Sequence, residues 1–198
     1  MSDSHVIHRE TFARALQDAA EALEAFSRSD DAMAACAALG AMLTETYESG
    51  GKAMAAGNGG SMADALHFAE ELTGRFRAER RPLPAMALGE STHLTCVSND
   101  YGFDHVFSRL VEAFGQEGDL LVLLSTSGNS RNLVLAAEAA RTRGVRVVGM
   151  LGRGGGLLAP LCDLVVMAPG ATSDRIQEIH MLVLHTAIEA AERALGLA

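Results

Sequence analysis

Phe12, Leu16, Ala20, Leu23 and Phe26 recur at steps of three and four, and Met33, Cys36, Gly40, Leu43 and Tyr47 do the same further on. This spacing predicts two amphipathic helices, an antiparallel pair within residues 1–49. The stretch SRSDD at residues 27–31 supplies the turn and an N-cap between them. Such a pair keeps an apolar stripe from Phe12 to Phe26 that a second subunit can cover. From Gly50 onward the pattern changes to short apolar runs separated by helical stretches: KAMAA, PAMAL, LLVLL, VRVVGM and LVVM, starting at Lys52, Pro84, Leu120, Val145 and Leu164. Runs of this length without polar alternation read as buried parallel strands, with the helical stretches as crossovers. The expectation is α/β: a doubly wound, mostly parallel five-stranded sheet flanked by helices, one domain over residues 1–198. A long helix over residues 173–194, capped by Ser173 or Asp174, ends the pattern.

Composition narrows the function classes. A formal net charge of -9 and the lack of a clustered basic patch argue against nucleic acid as a partner. The N-terminal MSDSHVIHRE has no apolar signal core, and no run of about 18 apolar residues occurs, so no membrane is expected and a cytoplasmic location is. Cys36, Cys96 and Cys162 are odd in number, widely spaced and set among apolar residues, which suits reduced core thiols.

In an open parallel sheet, ligands bind beyond the carboxyl ends of the strands, which directs attention to the loops after KAMAA and LLVLL. The second of these loops, STSGNS at residues 125–130, precedes a helical stretch over residues 131–143. Hydroxyls and backbone N–H groups there can converge on an anion such as a phosphate monoester, or can simply cap the helix. The loop lacks the Gly-Lys-Ser/Thr of a nucleotide-binding P-loop and the three spaced glycines of a dinucleotide site. In GNGGS, residues 57–61, the glycines allow close approach of a ligand, and Asn58 and Ser61 offer polar contacts; a tight turn with Ser61 as N-cap is the plainer alternative.

His67 and Glu71 then share a helix face, about 6 Å apart along the axis. They can hold one divalent ion, or the carboxylate can orient the imidazole, or the pair can be an ordinary surface pair. In the last helix Gln177, His180 and His185 interrupt an apolar pattern, and each histidine can equally be a satisfied core side chain. CVSNDYGFD, residues 96–104, reads as a polar turn in which Asn99 and Asp100 could meet sugar hydroxyls.

Taken in order, GNGGS, DALHFAEELTGRF, SNDYGFDHVFSR, EGDLL, STSGNS and RIQEIHMLVLH resemble the sugar isomerase, or SIS, domain family and within it the phosphoheptose isomerases. The resemblance implies an aldose–ketose isomerase acting on D-sedoheptulose 7-phosphate to form D-glycero-D-manno-heptose 7-phosphate, for ADP-heptose and lipopolysaccharide core synthesis or a related heptose route. Substrate-binding positions then fall on Asn58, Gly59, Gly60, Ser61, Glu71, Asn99, Asp100, Ser125, Thr126, Ser127, Ser130 and Gln177. The implied metal is zinc, one per subunit, on His67, Glu71, Gln177 and His185, with Glu71 and His185 as the catalytic acid/base groups. Gln177 and His185 are separated by about 12 Å of helical rise and about 80° of rotation. They meet at one ion only if their side chains bend together, if ligands come from different subunits, if the helix start is distorted, or if His180 replaces His185. The family also implies a homotetramer with residues 1–49 in the interface. The competing reading is a non-catalytic SIS-domain adaptor that binds a replication initiator protein; Glu71 and His185 argue against it, since such an adaptor is expected to lack both.

Overall fold

The computed structural model describes residues 3–198. Its centre is one sheet of five strands: β1 (Ala53–Gly57), β2 (Ala85–Ala87), β3 (Leu120–Ser125), β4 (Arg146–Leu151) and β5 (Leu164–Met167). All neighbouring strands are parallel, in the order β2-β1-β3-β4-β5. Each coincides with one of the five apolar runs, with β1, β3 and β4 reaching one residue past its end. Every residue of β1 and β3 is buried, because helices cover both faces and no position is left for alternating polar residues.

Among the described residues seven α-helices flank the sheet: α1 (Asp3–Ser27), α2 (Asp30–Glu48), α3 (Gly60–Thr73), α4 (Ser91–Tyr101), α5 (Ser108–Phe114), α6 (Arg131–Thr142) and α7 (Ser173–Ala194). On one face Leu39 and Leu43 of α2, Phe68 and Leu72 of α3, and Ile176 and Leu184 of α7 pack with Leu120, Val122 and Leu124 of β3. The other face joins Val97, Val111, Leu133 and Ala136 from α4, α5 and α6 to Leu121 and Leu123 of the same strand. Alternate residues of β3 thus feed separate cores, as the two-residue repeat of a strand requires. β1 leads into α3 on the first face and β3 into α6 on the second. Ligand crevices form where neighbouring strands diverge in this way. The register, Gly57 beside Leu124, sets the two Gly- and Ser-rich loops next to each other at that point.

Ser29 caps α2 by accepting the Ala32 N–H at 3.2 Å. Phe26 is buried against the core, but Phe12 and Leu16 of α1 are 72% and 70% exposed, so the predicted stripe is only partly covered within one chain. Three expectations need correction. Residues 96–101 form the end of α4 instead of a turn, and the glycine signal there is Gly102, which stops the helix with φ of 88°. α7 begins after Thr172, without a side-chain cap; Ser173 and Asp174 lie inside its first turn. The thiols are free but not core residues, since Cys96 is exposed and Cys36 and Cys162 are only half-buried.

Candidate active site

Three helices of 14, 12 and 22 residues, α3, α6 and α7, begin around one small polar cavity of about 200 Å³. Its walls are Asn58 and Ser61 from the first loop, residues 124–127 and Ser130 from the second, and Ser173 and Gln177 from α7. No charged side chain lines it. Helix N-termini present unpaired N–H groups and partial positive charge, so their convergence suits an anion. The hydroxyls are set for the same task. Ser125 Oγ accepts the Gly128 N–H at 3.0 Å and Ser127 Oγ the Asn129 N–H at 3.3 Å, which leaves each O–H to donate to a ligand. Ser130 occupies the N-cap position of α6 but makes no capping bond. Thr126 Oγ1 lies 3.2 Å from Ser173 Oγ, joining the loop to α7.

The two loops are locked to each other by a contact that the sequence did not suggest. Asn58 and Asn132 form a reciprocal amide pair, with N–O distances of 3.0 and 2.9 Å. Asn132 is buried, so this pair fixes the mouth of β1 relative to that of β3. The glycines act through proximity. A β-carbon on Gly60 would sit 2.7 Å from Gln177 Nε2, and one on Gly128 would lie 1.9 Å from the Gly155 carbonyl oxygen. Ser61 is buried, and its Oγ accepts from Gln177 Nε2 at 3.2 Å; it does not cap α3, which starts after Gly59.

Gln177 also lines an adjoining groove with Asp64, Asp174, Glu178, Met181, Leu182 and His185. At its edge, donor atoms of His67, Glu71 and His185 all lie within 4.8 Å of one another. His67 Nε2 is 3.1 Å from Glu71 Oε1, and the two imidazoles meet edge to face at 5.0 Å between centroids. Phe76 stacks on His185 at 5.5 Å between centroids. Two imidazoles and one carboxylate with room for further ligands are a donor set that suits zinc. The residues therefore fit the ion, and all three donors come from one chain. His180 does not substitute for His185. It is buried, its Nε2 donates to the Leu151 carbonyl at 3.2 Å, and burial pushes its pKa down to about 4, so it is a neutral core histidine. Asn99 and Asp100, exposed at the end of α4 and bonded to each other at 2.8 Å, line neither cavity.

One acidic side chain of this groove went unnoticed in the sequence. Asp64 precedes His67 by three residues and Glu71 by seven, the spacing of one helical face. Its Oδ2 is buried without a hydrogen-bond partner, and burial raises its pKa to about 6 against the pull of His67. A carboxyl group with a raised folded-state pKa favours folding while protonated and loses that contribution as pH climbs toward 6. Asp64→Asn should therefore melt above the parent chain in chelator-treated protein at pH 8, with the gap closing below about pH 4. Equal melting temperatures at both pH values would show that Asp64 is not strained by its surroundings.

The SIS domain family model matches residues 4–152. The chain belongs to the SIS domain family. A phosphoheptose isomerase of Fusobacterium nucleatum is 54% identical over 151 residues, which cover 76% of this chain and 78% of that protein. A phosphoheptose isomerase of Yersinia enterocolitica is 46% identical over 179 residues, covering 90% and 93%. The solved structure of a phosphoheptose isomerase from Neisseria gonorrhoeae superposes with a TM-score of 0.87 at 36% identity, covering 93% of this chain and 98% of that one. Among SIS domains, both sequence and backbone thus group this chain with phosphoheptose isomerases, and the fold expected from the apolar runs is the one these relatives share.

One further contact holds the site's two helices together. The Arg80 guanidinium, 1% exposed, donates Nε to Glu192 Oε1 on α7 at 2.6 Å. Its other nitrogens donate to carbonyls at the end of α3, those of Glu71 at 2.7 Å, Leu72 at 2.8 Å and Gly74 at 3.0 Å. It satisfies the open end of the helix that carries His67 and Glu71 and ties it to the helix that carries Gln177 and His185.

Proposed function

We propose that this sugar-phosphate isomerase interconverts D-sedoheptulose 7-phosphate and D-glycero-D-manno-heptose 7-phosphate, feeding ADP-heptose for lipopolysaccharide core or a related heptose product. The observation that carries the reading is that Gln177 borders both cavities, so a polar, charge-free phosphate pocket and an imidazole–carboxylate cluster form one elongated site. A phosphorylated acyclic sugar has that layout, with the anion at one end and the reacting C1 and C2 at the other.

In this reading the phosphate lies against residues 125–130, Ser173 and the three helix N-termini. Asn58, Gly59, Gly60 and Ser61 border the sugar, with Gly60 keeping the backbone close to it. Glu71 takes the proton from C1 as the C1=C2 bond of an enediol(ate) forms, and His185 delivers a proton to O2. O1–H then gives its proton to His185, restoring it, as the C1 carbonyl forms and Glu71 returns its proton to C2, so nothing is gained or lost. Zinc held by His67, Glu71 and His185, with Gln177 as a further ligand, would polarise the substrate oxygens and stabilise negative charge on them. Glu71 has two carboxylate oxygens, and proton transfer needs only one.

The decisive assay is incubation with sedoheptulose 7-phosphate, before and after chelation. Saturable conversion, lost with the metal and restored by zinc, is expected; no conversion by metal-replete protein rejects the reading, and full activity after verified metal removal rejects the zinc. No observation favours the adaptor alternative. We also propose the homotetramer that the family resemblance implies; Ile7, Phe12 and Leu16, which expose 59%, 72% and 70% of their surface along α1, support an intersubunit interface there. Light scattering at assay concentration should give four times the chain mass; a monomeric mass contradicts it. Asn99 and Asp100, which line neither cavity in one chain, would then meet substrate from a neighbouring subunit. No helix among the described residues is long and apolar enough to cross a membrane.

A further inference from the structure

The phosphate cavity has hydroxyls and helix ends but no side-chain cation, in a chain whose formal charge is -9. A phosphate ester carries nearly two negative charges at neutral pH, so the nearest unneutralised cation matters. Arg153 is such a cation at the cavity rim. Its Nη2 lies 3.3 Å from Ser173 Oγ, the hydroxyl that forms part of the cavity wall and contacts Thr126, and 3.4 Å from the Ala171 carbonyl oxygen. Among the described residues it makes no ion pair, whereas neighbouring Arg175 is engaged by Asp174 and Glu178 at 3.2 and 2.5 Å.

The backbone holds Arg153 there at a cost. It is the single non-glycine among the described residues with positive φ, 50°, a region that a residue with a β-carbon avoids. Glycine would be at ease in that position, and the three residues after it are glycines with positive φ. The loop is fixed against the phosphate loop as well. Leu158 N–H donates to the Gly128 carbonyl at 2.9 Å and Leu157 N–H to Asn129 Oδ1 at 3.2 Å. Gly155 takes the space that a side chain at residue 128 would need. A strained, anchored, unpaired arginine one hydroxyl away from an uncharged anion pocket calls for a role in that pocket.

We infer that Arg153 is a specificity-determining residue that supplies the missing positive charge at the rim of the phosphate cavity, acting on the substrate across Ser173. The inference rests on the phosphate reading of that cavity. Arg153 Nη2 is 3.3 Å from the Ser173 hydroxyl of the cavity wall, so an anion held against that wall would feel its charge inside the Debye length of about 8 Å at physiological salt, without direct contact. It acts on binding and leaves the chemistry at C1 and C2 alone.

The strained φ makes the test clean, since Arg153→Gly keeps or relaxes the backbone while removing the charge. Expected are a KM for sedoheptulose 7-phosphate raised about 3- to 10-fold, a matching loss of competitive inhibition by inorganic phosphate, and kcat within about twofold. Added NaCl should raise KM less steeply in the variant than in the parent. Arg153→Lys should recover most of the loss, because charge and not the planar fork is at issue. An unchanged KM and phosphate inhibition constant in Arg153→Gly overturn the inference alone. A fall in kcat with a lower melting temperature and no rescue by lysine assigns Arg153 to loop structure and overturns it too. A parent protein neither saturated by the sugar phosphate nor inhibited by phosphate removes the pocket's role and this inference with it.

Discussion

Glu71→Gln should remain folded and assembled yet isomerise sedoheptulose 7-phosphate at least about 10²- to 10⁴-fold more slowly, the range for loss of a positioned acid/base group. The exchange preserves shape and one carbonyl oxygen. It removes the charge that lets the group accept a carbon-bound proton, and it weakens the donor set shared with His67 and His185, whose atoms lie within 4.8 Å of one another. The two losses can be separated. Zinc content reports the donor set, and exchange of the C1 hydrogens of the bound sugar with deuterated solvent reports proton abstraction. A variant that binds zinc stoichiometrically but neither turns over nor exchanges deuterium assigns the proton to Glu71. Near-parental rate with zinc bound would transfer that role elsewhere, and Asp64, unpartnered in the same groove, would be the next residue to replace.

The second large effect concerns stability. Arg80→Met should cost about 3–5 kcal/mol, the range seen when one member of a buried ion pair is removed. Glu192 would be left charged and 3% exposed, the carbonyls of Glu71 and Gly74 would lose the Arg80 donor, and that of Leu72 would keep only the Leu83 N–H at 2.9 Å. Denaturant unfolding at fixed protein concentration measures it, since assembly adds to apparent stability. Arg80→Met with Glu192→Leu should regain part of the loss, because an apolar pair no longer strands a charge. A single variant as stable as the parent would mean that water reaches the pair.

Much of the fold is legible in the sequence for one reason. β1 and β3 are buried on both faces, so KAMAA after its lysine and LLVLL stand out as unbroken apolar runs, and the crossovers between them carry a helical period. Local chemistry was legible as well: His67 and Glu71 sit four apart on one helix, and Ser125, Thr126, Ser127 and Ser130 follow directly from a strand. Choices between positions on an otherwise apolar helix were not. His180 and His185 differ only in which neighbour each faces, the Leu151 carbonyl for one and His67 for the other, and that depends on how α7 lies across the sheet. Pairs remote in the chain were equally hidden, including Asn58 with Asn132 and Arg80 with Glu192. Asp64 is different. Its place on the His67 and Glu71 stripe was visible in the spacing alone. Arg153 carries no sequence signal except the glycines around it; its role depends on a backbone angle and on the approach of Ser173.

The position of α7 in the chain has a consequence for biosynthesis. Ser173, Gln177, His185 and Glu192 all belong to the helix that a ribosome makes after every strand of the sheet. Before it emerges, β1, β3 and β4 can already pair and α2 and α3 can cover part of one face, but the surface that receives Ile176, Ile179, Val183, Leu184 and Ile188 is left open. A nascent chain at that stage offers an apolar surface to chaperones or to other nascent chains, and lacks half of its polar site. Docking of α7 closes the hydrophobic layer and assembles the chemistry in one event, so a translation product cut short before residue 173 is inert and aggregation-prone rather than partly active.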